Sequence, residues 1–498
     1  MAIKRQRRKL KVLFATSEAT PFVKTGGLGD VGGSLPPALR HAGCKVSVVM
    51  PKYSTIPWEF VEKMQHVAEF GVPLAWRNVW CGVEHLSYRD IDFYFIDNED
   101  YFKRDTCYGH FDDGERFAFF SKAILEAMEH VEGMRCDVLH CNDWQTALAP
   151  VFLREFYRGI DYMDNVRTIF SIHNVQFQGQ YSDKMLGDVL GLEGTPAADQ
   201  LRMDKDSIDF MKGACLYSDM LSTVSPTYAN ELKTPYFGEH LEWVFQQRAD
   251  ALHGVLNGID MADWNPASDP RIPQNFSAKD LSGKAACKAA LQQELGLAVD
   301  PTRPLVVNVG RLTKQKGLDL VNYAFETLMS RGVQVAVLGT GDPAYEDSLR
   351  YFAGRFPGQA AACITFDNNL AHRLYAGADL FLMPSQFEPC GLSQMISMRY
   401  GTLPVVRETG GLADSVHAYN KYTGEGDGFS FANFNADEMA SCLLEACEVF
   451  WTQPDVWRQL QLQAMAVDFG WGIAANDYID LYHQLHPEVI RYVKRRDI

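Results

Sequence analysis

An apolar run, Val12-Leu13-Phe14-Ala15, leads into Lys24-Thr25-Gly26-Gly27-Leu28-Gly29-Asp30-Val31, and no other feature constrains the fold as strongly. Four consecutive apolar residues ahead of a glycine-rich loop read as a buried parallel strand. The pattern then predicts a helix over 32–42, closing at Gly43, and a second apolar strand over 45–50. Strand, loop and helix in this order make a βα unit. The free N–H groups at its helix start, aided by the helix dipole, point at whatever lies above the sheet. Gly26 and Gly27 remove the Cβ that would keep an anion away, and Lys24 adds a full positive charge. The loop is expected to hold a phosphate-bearing ligand.

The alternation continues. Strands are predicted over 92–97, 137–140, 168–174, 222–225 and 255–260, with a Gly/Asp-rich loop from Tyr108 to Gly114 and a helix over 115–131. Between 265 and 304 the chain turns polar, with prolines at 266, 270, 273, 301 and 304 around a helix over 279–295; a domain boundary is expected near this region. The pattern then restarts with a strand over 305–310, a helix over 318–329, and strands over 333–341, 361–366, 380–384 and 403–406. Alternating strands and helices mean parallel sheets covered by helices on both faces. The chain therefore reads as α/β, two doubly wound Rossmann-like domains in tandem. Such sheets bind ligands beyond the carboxyl ends of their strands, and a cleft between the two domains is the expected place.

At 498 residues the chain is too long for one ordinary core. Its formal charge of −16 is the reverse of what a nucleic-acid binder shows. The basic start, Lys4, Arg5, Arg7, Arg8, Lys9 and Lys11, reads as a solvated tail. No apolar signal core follows it and no stretch of about 18 apolar residues occurs, so neither secretion nor a membrane span is expected. Eleven cysteines, an odd number with no CxxC, suit buried thiols of a reducing cytoplasm. Asp90 and Asp92 spell DxD but lie in or beside a strand, where they read as solvated alternation. No metal cluster emerges.

Several residues carry possible chemistry. Thr25-Gly26-Gly27-Leu28-Gly29-Asp30 recurs as Thr409-Gly410-Gly411-Leu412-Ala413-Asp414, so two glycine loops are expected to face each other, one per domain. Arg311 and Lys316 flank a strand-to-helix turn and could grip a diphosphate, or form an exposed basic turn. Glu388, in Pro384-Ser385-Gln386-Phe387-Glu388-Pro389-Cys390-Gly391-Leu392-Ser393, could accept sugar hydroxyls while the N–H groups at 391 to 393 meet phosphate. It could equally stabilise a helix dipole. His173-Asn174 ends a strand, as a site histidine or as a core histidine beside a turn-capping asparagine. Asp143 beside Trp144 reads either as a helix N-cap or as a sugar-site carboxylate.

On Lys24-Thr25-Gly26-Gly27-Leu28, Arg311 with Lys316-Gly317, and Phe387-Glu388-Pro389-Cys390-Gly391-Leu392, the chain resembles the bacterial glycogen synthase and plant starch synthase family. These are retaining glucosyltransferases of the GT-B fold. The resemblance runs from about Lys11 to Leu485. It implies domains over 1–256 and 257–477 facing across a cleft, with 478–498 returning to the first domain. It also implies transfer of glucose from ADP-glucose to the non-reducing end of an α-1,4-glucan (glycogen, starch or maltooligosaccharides) in the cytoplasm. No metal or cofactor, nucleic acid or membrane is implied. By motif, Lys24, Gly26, Gly27 and Asp30 would meet the donor, and Arg311 and Lys316 would neutralise the leaving diphosphate. Glu388 would bind glucose hydroxyls, with Cys390, Gly391, Leu392 and Ser393 lining the sugar-phosphate site. His173 would hold the glucose near its reacting face, with Asn174 and Asn257 nearby. Asp143 and Tyr108 would lie toward the acceptor, and Phe366 falls where the family places an adenine-stacking Tyr.

The sequence departs from the family pattern at Gln386 (commonly Arg), Ser393 (commonly Thr), Phe366, and Gln176-Phe177 (commonly Ala-Tyr). These changes bear on nucleotide preference and acceptor detail. A synthase using UDP-glucose or bound to granules is the main alternative. A catalytically silent glucan-binding protein is a remote one, opposed by the presence of Lys24, Arg311, Lys316 and Glu388. An NAD-dependent oxidoreductase would need G-x-G-x-x-G and an acidic end to the second strand; that strand ends Met50-Pro51-Lys52.

Overall fold

The computed structural model describes residues 8–490. Lys4, Arg5 and Arg7 of the basic start, and 491–498 of the returning segment, lie outside the described residues. Within them the basic start is partly structured: Arg8 makes a two-pronged ion pair with Asp137 at 2.5 and 2.9 Å. The chain divides into two units, one of residues up to Gly258 together with those from Trp471 onward, the other of Ile259–Gly470. These divisions lie a few residues from the expected 256/257 and 477/478.

The first unit is built on strands β1 (Lys11–Ala15), β2 (Lys45–Pro51), β3 (Gln65–Leu74), β4 (Arg77–Tyr88), β5 (Ile91–Asp97), β6 (Val138–Asn142), β7 (Arg167–Ile172), β8 (Gln180–Ser182), β9 (Ser207–Asp209), β10 (Met220–Thr223) and β11 (Leu252–Gly254). Nine form one sheet in the order β11-β10-β7-β6-β1-β2-β5-β4-β3, while β8 and β9 form a small ribbon. The centre is parallel and buried, as its near-continuous apolar strands dictate. The β3–β4 hairpin at one edge is antiparallel. It was not foreseen, although Ala68, Phe70, Val72 and Leu74 alternate with exposed Glu69, Gly71 and Pro73; a Gly and a Pro inside the run are residues that weaken a strand signal. The strand expected over 255–260 is absent: β11 stops at Gly254, and Ile259 instead bridges to Gly470.

The first helix spans Gly27–His41, starting inside the glycine loop with Gly26 as its N-cap. The expected start at 32 is thus five residues late. Gly32 and Gly33 sit within the helix because a Cβ at either would overlap the backbone of Glu18 or Thr20; they allow close packing rather than breaking the helix. The helix Trp471–Leu485 packs on this first helix as one continuous element, which is why the return starts at 471. Tyr482 Oη lies 2.7 Å from His140 Nδ1, and His140 Nε2 lies 2.6 Å from Ser171 Oγ. A buried polar chain therefore ties the returning helix to β6 and β7.

The second unit carries β12 (Leu305–Val309), β13 (Gln334–Leu338), β14 (Ala360–Cys363), β15 (Leu380–Met383), β16 (Leu403–Arg407) and β17 (Phe429–Phe431). They form an all-parallel sheet ordered β14-β13-β12-β15-β16-β17. The strand expected over 361–366 ends at Cys363, leaving Phe366 in a connection, 90% exposed. Among the described residues no helix is long and apolar enough to cross a membrane. All eleven cysteines lie among the described residues; none forms a disulfide there, and most are buried.

Candidate active site

In the first unit, the segment following β1 brings Glu18 under the glycine loop. Glu18 is 3% exposed. Its carboxylate accepts from Thr25 N–H at 2.5 Å, Thr25 Oγ1 at 2.6 Å, Gly26 N–H at 3.2 Å and Tyr108 Oη at 2.8 Å. The first two amides of the expected phosphate cradle are therefore occupied by a carboxylate of the chain itself. Anion binding by these N–H groups, as the sequence led us to expect, is not the arrangement present. The outer side of the loop is open, with nothing within 4 Å of where a Cβ on Gly26 or Gly27 would point. Lys24 pairs with Asp30 at 2.7 Å in an exposed contact, a kind of pair that holds a side chain only weakly.

The ends of β6 and β7 meet beyond the sheet. Asn142 donates from Nδ2 to the Ala15 carbonyl at 2.9 Å, which leaves its Oδ1 as acceptor 2.9 Å from His173 Nε2. This fixes the proton of the neutral ring on Nε2 and leaves Nδ1 as an acceptor. Burial lowers the His173 pKa to about 4, so the ring is neutral near pH 7. Asp143 Oδ1 accepts from the His173 backbone N–H at 2.7 Å. Burial pushes the Asp143 pKa up to about 7, against the downward pull of the His173 and Asn174 backbone N–H groups. The N-cap alternative for Asp143 therefore fails: its carboxylate serves β7 and makes no cap hydrogen bond to the following turn. Asp143 also holds φ at 56°, a left-handed conformation that costs a non-glycine residue on the order of 1–3 kcal/mol. Asn174 Oδ1 accepts from Gln176 N–H at 3.0 Å, the turn-capping role. Asn257 is buried, and its Oδ1 has no partner among the described residues.

In the second unit, the turn after β12 packs against the end of β15. Gly317 has φ 73°, and a Cβ there would overlap the Pro384 carbonyl. Gln386 N–H donates to the Gln315 carbonyl at 2.8 Å. This close approach brings Lys316 Nζ to 2.5 Å from Glu388 Oε2, which also accepts from Ser385 Oγ at 3.0 Å. Glu388 is 7% exposed, whereas Arg311 is exposed. Lys316 is thus held in place by Glu388 before any ligand arrives. Glu388 lies five residues ahead of the helix Ser393–Arg399, so its partner is Lys316 and not that helix's dipole. Gly391 turns the chain with φ 73°, placing half-exposed Gly391, Leu392 and Ser393 after buried Cys390.

The second glycine pair differs from its sequence echo. Gly410 and Gly411 are buried, and Gly411 N–H donates to the Glu388 and Pro389 carbonyls at 3.1 Å each. A Cβ at Gly410 or Gly411 would overlap the carbonyl of Glu388 or Cys390. The pair supports the Glu388 loop from beneath and is not a second anion cradle. Sequence reasoning also missed Glu18, Asn142 and Ser385. Glu18 lies three residues past the end of β1, ahead of the glycine loop, and Ser385 two past the end of β15, inside the stretch that holds Glu388; those positions are the signal they offered.

A model described as "Starch synthase catalytic domain" matches residues 11–247, and one described as "Glycosyl transferases group 1" matches 293–448. A glycogen synthase of Clostridium perfringens is 47% identical over 476 residues, 96% of this chain and 98% of that protein. One of Geobacillus stearothermophilus is 49% identical over 477 residues, 96% and 98% of the two chains. Among solved structures, the catalytic domain of starch synthase IV from Arabidopsis thaliana, bound to ADP and acarbose, matches with TM-score 0.87 and 33% identity. It covers 96% of this chain and 99% of that one. Sucrose-phosphate synthase from Thermosynechococcus elongatus, at TM-score 0.61 and 16% identity, shares the fold.

Proposed function

Because the chain belongs to the glycogen and starch synthase family of glycosyltransferases, with that family's GT-B fold, we propose that it transfers glucose from ADP-glucose to the non-reducing end of an α-1,4-glucan, with retention of configuration. The observation that carries this reading is the Lys316–Glu388 pair beside exposed Arg311. A carboxylate able to accept sugar hydroxyls and two cations able to take up a departing diphosphate stand on adjoining loops. The starch synthase structure bound to ADP and acarbose supports the nucleotide and the glucan.

In this reading the bond between the anomeric carbon and the diphosphate oxygen breaks. The glucan O4 bonds to that carbon from the same face, and its proton passes to the departing phosphate. Negative charge grows on the ADP as it leaves, so Arg311, Lys316 and the N–H groups of 391–393 stabilise the transition state more than the ground state. Glu388 orients both Lys316 and the glucose hydroxyls. Neutral His173 offers an unprotonated Nδ1 to a sugar hydroxyl, with its Nε2–H held by Asn142. Lys24, Gly26, Gly27 and Asp30 meet the donor, while Asp143 and Tyr108 face the acceptor side and Asn257 directs its unmatched oxygen to a hydroxyl. Phe366 stacks on the adenine, and Cys390 packs against the sugar-phosphate. The reaction runs in the cytoplasm and needs no cofactor or metal.

The test is release of ADP from ADP-glucose, with UDP-glucose run beside it, each with and without glycogen or maltooligosaccharide. Glucan-dependent ADP release with the anomer retained in the product supports the proposal. Faster release from UDP-glucose corrects the donor, and no elongation with either donor overturns the function.

A further inference from the structure

Gln394 stands in the helix Ser393–Arg399, just behind the loop that carries Glu388, and belongs to none of the residue sets assigned above. It is fully buried, at 0% exposed. Three oxygens converge on one end of its amide: the Cys390 carbonyl at 3.2 Å, the Gly391 carbonyl at 3.0 Å and Ser415 Oγ at 2.9 Å. Two of these are carbonyls, which only accept. Ser415 Oγ donates its own proton to the Gly411 carbonyl at 2.5 Å, so it too accepts here. The end they meet is therefore the NH2 group, and the surrounding network settles which way the amide faces. Oε1 is turned toward Gly391, 2.6 Å from where a Cβ on that residue would stand, and has no hydrogen-bond partner among the described residues. A buried acceptor without a partner is costly. The contacts made by Nε2 must outweigh that cost for this orientation to stand.

Those contacts close a circuit around the loop. Gly411 N–H donates to the Glu388 and Pro389 carbonyls, Ser415 Oγ–H donates to Gly411, and Gln394 joins Ser415 to Cys390 and Gly391. A trans peptide unit is planar, with its C=O and N–H pointing in opposite directions. Drawing the Cys390 and Gly391 carbonyls inward onto Gln394 therefore turns the N–H groups of Gly391 and Leu392 outward. Both residues are half-exposed, so those donors face a ligand's side of the loop. We infer that Gln394 is a positioning residue for the nucleotide sugar. It touches no ligand itself. Through two carbonyls it aims two backbone N–H groups at the diphosphate, and through Ser415 and Gly411 it holds the backbone of Glu388. The choice of a diphosphate rests on the proposed function.

The test uses the full chain with Gln394→Glu, Gln394→Met and Ser415→Ala. Gln394→Glu keeps the shape; ionised, it sets an acceptor against three oxygens, and protonated it regains one donor. Gln394→Met keeps the length with no donor. Ser415→Ala opens the circuit and leaves both carbonyl contacts in place, so it decides the matter if a Gln394 variant fails to fold. The readouts are ADP affinity by calorimetry, KM for ADP-glucose and for glycogen, melting temperature, and hydrogen exchange of the amides over 388–393 without ligand. Both Gln394 variants should bind ADP roughly ten- to hundredfold more weakly, the scale of one or two hydrogen bonds to a charged group, with KM for glycogen within about twofold of the parent. Exchange over 388–393 should quicken. Ser415→Ala should move both readouts the same way by less, about threefold in ADP affinity. Because burial favours a neutral carboxyl, the Gln394→Glu deficit should shrink from about pH 8 to about pH 6 while that of Gln394→Met does not. A merely structural role would lower the melting temperature of both without that divergence. Unchanged ADP affinity in folded Gln394→Met, or in Ser415→Ala if it alone folds, overturns the role, as does a Gln394→Glu deficit that ignores pH. Failure of the parent to bind ADP overturns the proposed function, while hydrogen exchange still tests whether Gln394 orders the loop.

Discussion

Lys316 Nζ stands 2.5 Å from Glu388 Oε2, so two charges expected to serve different parts of a nucleotide sugar hold each other. The pair is mostly buried, with side-chain exposures of 19% and 9%. Removing one partner of such a pair leaves the other poorly solvated, while its geometry stays fixed by Gly317 and Ser385.

Glu388→Gln and Lys316→Ala are each expected to lower kcat by about two to four orders of magnitude, the scale of a lost transition-state contact. The melting temperature should move by only a few degrees. Because the two act as a unit, the double variant should be little worse than the poorer single one. Near-normal turnover in either single variant, or additive losses, would refute the joint role.

Glu18 anchors the glycine loop by accepting from Thr25, Gly26 and Tyr108. Glu18→Ala leaves those donors unmatched and should cost about 1–3 kcal/mol of stability. Cleavage of the loop near 24–27 by trypsin should become faster. Glu18→Gln, which keeps one carbonyl oxygen, should fall between. Calorimetry and proteolysis decide the matter, and an unchanged loop in Glu18→Ala would show that it orders itself.

Burial raises the Asp143 pKa from 3.8 to about 7. The unfolded chain ionises first, so relative to a neutral isostere the folded state loses stability as pH rises above 3.8, with the full loss reached above 7. Asp143→Asn should thus match the parent near pH 4 and exceed it at pH 8, by at most about 4 kcal/mol. Its turnover should fall at the same time. Denaturant melts at the two pH values check the sign, and equal stability at pH 8 would remove the buried-charge account.

His140 behaves in the opposite sense. Burial lowers its pKa to about 3, and that of His173 to about 4, from 6.5. Between 6.5 and those values the unfolded state binds protons that the folded state does not. Stability is therefore full above 6.5 and lost as pH falls, with a slope near 1.4 kcal/mol per unit for each group. His140→Gln should flatten that acid limb by about one group's share, whatever its cost at neutral pH. An unchanged slope between pH 6.5 and 4 would refute the assignment.

Much of this was legible in one dimension. The apolar runs 12–15 and 305–307 mark central strands because a strand buried on both faces shows no polar alternation. His173 and Asn174 stood at a strand's carboxyl end because Ile172 is the last apolar residue before a polar pair. The β3–β4 hairpin escaped although Ala68, Phe70, Val72 and Leu74 keep a period of two, because Gly71 and Pro73 interrupt the run with residues typical of turns.

The sequence by itself determined the alternation of strands and helices, the restart after residue 304, and which loops lie at strand ends. These follow from local hydrophobic period and turn chemistry, which neighbouring residues specify. Only the tertiary structure decided the partners. That Glu18 fills the glycine loop, that Gly410 and Gly411 lie under Glu388 where their echo Gly26 and Gly27 stand open, and that Lys316 belongs to Glu388 are all such contacts. Lys316 and Glu388 are 72 positions apart. Such pairings are set by how strands are ordered and how closely glycine lets two backbones approach, and no local pattern encodes either.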